Sequence, residues 1–149
     1  MTKVLFICHG NICRSPMAEF VMKKMVAERG LSDRFVIESA AVSTEEIGNP
    51  VYPPVRRLLS SHGIDCSGKT ARQVTKADYD RWDHLLVMDD SNLRLLLRIC
   101  GGDPKHKIAR LADYTDHPGS IADPWYSGDF ERTWREVNEG CAAFLETLL

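Results

Sequence analysis

The chain alternates between short, continuously apolar runs and longer stretches whose apolar positions recur every three or four residues, the patterns of strands and helices in turn. Lys3–Cys8 is the first such run. With Val4, Leu5, Phe6 and Ile7 in succession, it predicts a strand covered on both faces. A helix is predicted from Met17 to about Arg29, with Ser15 as its N-cap, Pro16 at its first position, Gly30 as its stop, and Met17, Phe20, Val21 and Met25 facing inward. Phe35–Ala40 predicts a second strand, and Pro54–His62 a helix closed by Gly63 after the turns at Asn49-Pro50 and Pro53-Pro54. His84–Met88 predicts a third strand, Ser91–Ile99 a helix ended by Gly101-Gly102, and Lys107–Leu111 a shorter fourth strand. A turn-rich segment from Ala112 to Gly128 leads into a last helix, Phe130–Leu148, with Trp134, Val137, Cys141, Phe144 and Leu148 along one stripe.

Strands alternating with helices predict an α/β fold: one domain over residues 1–149, a four-stranded parallel twisted sheet, right-handed crossovers and helices on both faces. Ligands of such sheets bind beyond the carboxyl ends of the strands, the edge at which the loop after Cys8 emerges. The 149 residues show no repeat and no linker. A net charge of −2 provides no broad basic field, which argues against a nucleic-acid partner. No apolar run is long enough to span a bilayer and no leader pattern opens the chain, so no membrane association is expected. Five cysteines, an odd number without a C-x-x-C pair, speak against both a disulfide framework and a zinc site. The expectation is a cytoplasmic monomer with no metal and no cofactor, since a reducing compartment preserves a reactive thiol.

The chemistry concentrates in Cys8-His9-Gly10-Asn11-Ile12-Cys13-Arg14-Ser15-Pro16. Lying between a strand and a helix N-terminus, this loop is placed so that its amide groups converge on an anion. A cysteine and an arginine at its ends describe a phosphate-binding loop with its own nucleophile, formed by Cys8, His9, Gly10, Asn11, Ile12, Cys13, Arg14 and Ser15. Only the thiolate attacks, and the helix N-terminus and the guanidinium both stabilise an anion. Arg14 has the planar fork that matches two phosphate oxygens. Gly10 admits close backbone approach, and Asn11 tolerates left-handed angles while hydrogen-bonding locally.

With Ala18-Glu19 added, the same loop resembles the signature of the low-molecular-weight protein tyrosine phosphatases. Ala122-Asp123-Pro124-Trp125-Tyr126, about 115 residues after Cys8, resembles the Asp-Pro loop that holds that family's general acid. Further similarity is visible at Ser39-Ala40-Ala41, His62-Gly63-Ile64, Ala71-Arg72-Gln73 and Met88-Asp89-Asp90-Ser91-Asn92-Leu93. The resemblance implies hydrolysis of phosphotyrosine in protein substrates, and of small aryl phosphates, through a phosphocysteine intermediate. It makes Cys8 the nucleophile, Arg14 the phosphate clamp and Asp123 the general acid and base, with Ser15 hydrogen-bonded to the Cys8 sulfur.

Asp103-Pro104 and Asp116 are the other candidate acids, but only Asp123 has two rings beside it, Trp125 and Tyr126, able to flank an aromatic substrate. Cys13, five residues after Cys8, is a candidate redox partner for it. Cys66, Cys100 and Cys141 read as structural. The chain departs from the family pattern where many members carry an aromatic pocket wall. Val42–Glu46 has no ring, and Glu45 is expected to flank the substrate and to disfavour acidic neighbours. Gly68-Lys69 stands where some members have a histidine supporting the loop asparagine. An arsenate reductase needs a further closely spaced cysteine pair that Cys66 and Cys100 do not form. The related arginine phosphatases tend to have threonine at the place of Ile12 and lack the doubled aromatic. A phosphate-binding module without catalysis needs neither Cys8 nor Asp123.

Overall fold

The computed structural model describes residues 1–149. Its strands are β1 (Thr2–Cys8), β2 (Phe35–Ala41), β3 (His84–Val87) and β4 (Ile108–Arg110). The helices are α1 (Arg14–Glu28), α2 (Pro53–Ser61), α3 (Lys76–Arg81), α4 (Asp90–Cys100), α5 (Pro124–Ser127) and α6 (Phe130–Glu146). All four strands are parallel, in the order β2-β1-β3-β4, with Cys8 opposite Ala41 and Ile7 opposite Val87. β1 is therefore internal, and Val4 to Cys8 are all buried as the unbroken apolar run required. No helix is long and apolar enough to cross a membrane.

The two-residue period of a strand splits β1 between two apolar layers. Val4, Phe6 and Cys8 join Met17, Met22, Val137 and Phe144 beneath α1 and α6. Leu5 and Ile7 join Trp82, Leu85, Val87 and Leu96 beneath α3 and α4. Cys8 thus turns its side chain toward the start of α1 because it shares the parity of Val4 and Phe6.

Several predicted boundaries move, each for a local reason. α1 begins at Arg14 rather than Met17, and Ser15 lies inside it rather than capping it. Cys13 is the capping residue and makes no side-chain cap bond, so the first amides of α1 remain free for another acceptor. Phe20 and Met25 are half-buried, and the buried stripe runs through Met17, Ala18, Val21, Met22 and Val26. β3 stops at Val87, α6 ends at Glu146, and Trp134 and Leu148 pack only at the margin of the core. α3 and α5 were not predicted; six and four residues are too short for a helical period to emerge.

α3 is held by its third residue. The buried carboxylate of Asp78 accepts hydrogen bonds from Thr75 N (2.7 Å), Arg72 Nη1 (3.0 Å) and Trp82 Nε1 (3.1 Å). Burial opposes its charge, but the bonds from Arg72, Thr75 and Trp82 outweigh burial and hold this carboxyl below its usual range. A depressed carboxyl stabilises the fold above the unfolded-state value near 4, and that contribution is lost as pH falls through the folded-state value. Asp78→Asn is therefore expected to lower Tm at pH 7, with the gap to wild type closing below about pH 4. Melting both proteins from pH 7 to pH 3 checks this; a gap that stays constant rules out the charge as its source.

Candidate active site

Cys8 ends β1 at the carboxyl edge of the sheet, and the loop from His9 to Cys13 curls back over it. Asn11 makes the curl possible by adopting φ 60°, a left-handed angle that asparagine accepts more readily than most residues. A Cβ at Gly10 would stand 3.2 Å from Cγ of Glu46, a tight approach that this side chain has to yield a few tenths of an ångström to admit. Asn11 N donates to Cys8 Sγ (3.3 Å), whereas the amides of Gly10, Ile12, Cys13, Arg14 and Ser15 form no backbone hydrogen bond. Five free donors beside one sulfur make a nest for an anion.

Ser15 Oγ lies 3.0 Å from Cys8 Sγ and donates to it whenever the sulfur is a thiolate, which can only accept. Asn11 Nδ2 donates to Ser15 Oγ (2.8 Å) and to Ser39 Oγ (2.9 Å), and its Oδ1 accepts from Arg72 N (3.3 Å). Ser39 Oγ in turn donates to the buried carboxylate of Glu19 at 2.5 Å. Lys69 Nζ sits 3.1 Å from Glu19 and 2.9 Å from Ser39 O, so a lysine supports the asparagine through Ser39. A continuous chain of contacts thus runs from Lys69 through Glu19, Ser39, Asn11 and Ser15 to Cys8.

Arg14 is 1% exposed, yet it is charged. Its Nη1 donates to Asp89 Oδ2 (2.7 Å) and Ile121 O (2.8 Å), and Nη2 is 3.5 Å from Asp123 Oδ2. Burial works against the charge, while Cys8, Asp89 and Asp123 favour it strongly enough to raise the guanidinium's proton affinity. Nε is the one buried side-chain nitrogen or oxygen in the molecule without a hydrogen-bond partner. A buried donor left unsatisfied costs stability, and a phosphate oxygen at this site would satisfy it.

Asp123 precedes α5 and is tied to it, its Oδ1 accepting from Trp125 N at 3.0 Å. Pro124 at the first helical position is buried and fixes the turn. A cavity of about 130 Å³ is lined by Cys8, His9, Cys13 and Arg14 at its base and by Glu45, Glu46, Asp123, Trp125 and Tyr126 around its mouth. Every residue expected at the site is therefore in one place, except that Asn11 and Ser15 act from behind the loop. Trp125 and Tyr126 are 52% and 85% exposed, and Glu45 pairs with His9 Nε2 across 2.9 Å at the rim. Cys13 is buried; desolvation first, then the charge of Cys8, pushes its thiol far up. All five cysteines are free, and no cluster of His, Cys, Asp or Glu could hold a metal ion.

Sequence reasoning missed Tyr52, whose ring packs 4.8 Å from that of Trp125, and missed the partners of Arg14. Asp89 had a signal, since it stood in a family-like segment and caps α4 by accepting from Asn92 N. Ile121 contributes only its carbonyl and had none.

A sequence profile of the family described as low molecular weight phosphotyrosine protein phosphatase matches residues 3–149. The low molecular weight phosphotyrosine protein phosphatase of Sus scrofa is 44% identical over 149 residues, spanning 96% of this chain and 93% of that protein. The low molecular weight protein-tyrosine-phosphatase YfkJ of Bacillus subtilis is 36% identical over 150 residues, 99% of this chain and 96% of the relative. Its crystal structure has a TM-score of 0.96, covering 99% of this chain and 94% of that one. The crystal structure of the Drosophila arginine phosphatase DARP is also similar, at 31% identity and a TM-score of 0.90, covering 99% and 98% of the two chains. Sequence and fold agree: the chain belongs to the low molecular weight phosphotyrosine protein phosphatase family.

Proposed function

We propose that the phosphotyrosine phosphatase reaction runs on Cys8, Arg14 and Asp123. The observation that carries this reading is the unpartnered Nε of Arg14, buried in the same small cavity as a Cys8 sulfur that accepts a backbone amide. The phosphoryl dianion sits on the loop amides with Nε and Nη2 of Arg14 on two of its oxygens. The Cys8 thiolate attacks phosphorus, the bond from phosphorus to the phenolic oxygen breaks, and Asp123 delivers its proton to that oxygen. Asp123, now a carboxylate, takes a proton from water as the water attacks the phosphocysteine. The S–P bond breaks, inorganic phosphate leaves and the thiolate returns, eased by the hydrogen bond from Ser15. Trp125 and Tyr126 flank the substrate ring, and the carboxylates of Glu45 and Glu46 discourage acidic neighbours.

Cys13 enters as a side reaction. Peroxide oxidises the Cys8 thiolate to a sulfenic acid, and the Cys13 thiol displaces water from it to form a disulfide. The raised proton affinity of Cys13 makes that second step slow.

Asp123→Ala tests the assignment. Its kcat/KM, which covers phosphocysteine formation, is expected to fall about 10²- to 10³-fold for phenyl phosphate and little for 2,4-dinitrophenyl phosphate, whose leaving group needs no proton. Equal losses on the two esters would remove Asp123 from the role of acid. The likeness to DARP favours one second reading, hydrolysis of phosphoarginine. Ile12 and the pair Trp125-Tyr126 weigh against it, and phosphotyrosine and phosphoarginine peptides assayed side by side decide between them.

A further inference from the structure

Tyr52 touches both halves of the site without lining the cavity. Its amide donates to Ile12 O in the phosphate loop at 2.9 Å, and its carbonyl accepts from Val55 N and Arg56 N at the start of α2. Pro53 follows it, and a residue before proline is confined to extended angles, as observed here at φ −57°, ψ 133°. The backbone of Tyr52 is thus pinned to the phosphate loop at one end and to a helix at the other.

The ring reaches the opposite wall. Its centroid is 4.8 Å from Trp125, tilted by 49°, and 6.1 Å from Phe130 in a stacked arrangement. Both rings lie just downstream of Asp123, Trp125 two residues after it, with Gly128 at φ 72° between them. The other holds from outside come from Arg14, at Ile121 O (2.8 Å) and Asp123 Oδ2 (3.5 Å); α5 has only four residues, and Trp125 and Tyr126 are largely exposed. Pro124 is buried, and Ile121 fixes the upstream side through its amide, which donates to Met88 O at 2.8 Å. Arg14 reaches one oxygen of the carboxyl, Oδ2, and the Trp125 amide bonds the other, Oδ1, at 3.0 Å.

We propose that Tyr52 is a positioning residue for the general acid. Its ring fixes Trp125, and through the Trp125 amide the Asp123 carboxyl, at a set height above Cys8. This inference rests on the assignment of Asp123 as the acid. An acid misplaced by an ångström loses much of its effect, whereas phosphate binding, which does not pass through Asp123, is left intact.

The test compares Tyr52→Phe, Tyr52→Leu and Asp123→Ala, with the double variant, on phenyl phosphate and 2,4-dinitrophenyl phosphate. Tyr52→Leu is expected to lower kcat/KM for phenyl phosphate about 10-fold and for the dinitrophenyl ester less than about 2-fold, because only the former needs the proton. Tyr52→Phe keeps the ring and retains wild-type rates on both. In the Asp123→Ala background Tyr52→Leu has no further effect, since the group it positions is gone. Equal losses on both esters, a loss undiminished without Asp123, or a Phe variant as impaired as Leu each overturn the proposal. Melting curves identify a variant that is only unfolding, whose losses are the same on both esters. Should Asp123→Ala itself slow both esters equally, the acid assignment fails and takes this inference with it. If Asp123→Ala discriminates and Tyr52→Leu does not, the inference alone falls.

Discussion

Cys8→Ser is expected to abolish turnover while still binding inorganic phosphate, and Arg14→Lys to lose both. A serine hydroxyl at this place is not ionised near neutral pH and is a weak nucleophile, so a loss of four or more orders of magnitude is the expectation. The amides of Gly10, Ile12, Cys13, Arg14 and Ser15 and the orphan Nε remain, and these bind the anion. Lysine in place of Arg14 fails differently. A single ammonium cannot reach Asp89 and Ile121 on one side while giving two donors to phosphate on the other, as the guanidinium does. Removing such donors from a water-poor site is expected to cost about 10³-fold in kcat/KM, or about 4 kcal/mol, and to weaken phosphate binding in step. Steady-state kinetics with an aryl phosphate and calorimetric titration of phosphate separate the two. An Arg14→Lys protein with unchanged phosphate affinity would end the clamp assignment, and turnover by Cys8→Ser would end that of the nucleophile.

The second large effect is expected at Asn11, which never touches substrate. Alanine at φ 60° costs about 1–2 kcal/mol, and the buried bonds to Ser15, Ser39 and Arg72 N are lost at about 1 kcal/mol each, the last being the weakest. Together these come to about 4–5 kcal/mol, or a fall of about 10–20 °C in Tm for a chain of this size. Activity is expected to drop about 10²-fold because Ser15, no longer held by Asn11, ceases to aim at the sulfur. Asn11→Gly separates the causes. Glycine accepts the left-handed angle, so part of the stability returns, but the hydrogen bonds do not, so activity stays low. Full activity in Asn11→Gly would mean that only the backbone angle mattered.

Tyr52 and the partners of Arg14 show where legibility ended. The loop from Cys8 to Pro16 was readable because strand, turn and helix start are neighbours in sequence, and each residue type suits its local backbone. Even there, Ser15 was taken for a helix cap. Its place inside α1 instead leaves the first amides of the helix without a side-chain cap and turns the hydroxyl to the Cys8 sulfur. Asp89, Ile121 and Tyr52 reach the site from 75, 107 and 38 residues beyond Arg14, and no local pattern marks a carbonyl or a ring as its neighbour.

By itself the order of residues determined the parallel sheet, the edge at which the Cys8 loop emerges, and the candidates for nucleophile, clamp and acid, because strand parity and loop composition are local properties. Tertiary structure alone decided how a buried guanidinium stays charged, which lysine supports the loop asparagine, and which ring packs against Trp125. Those outcomes depend on groups brought together by the packing of α2, α4 and α5 around the end of β1, and electrostatic and aromatic contacts act over ångströms of space rather than over residues of chain.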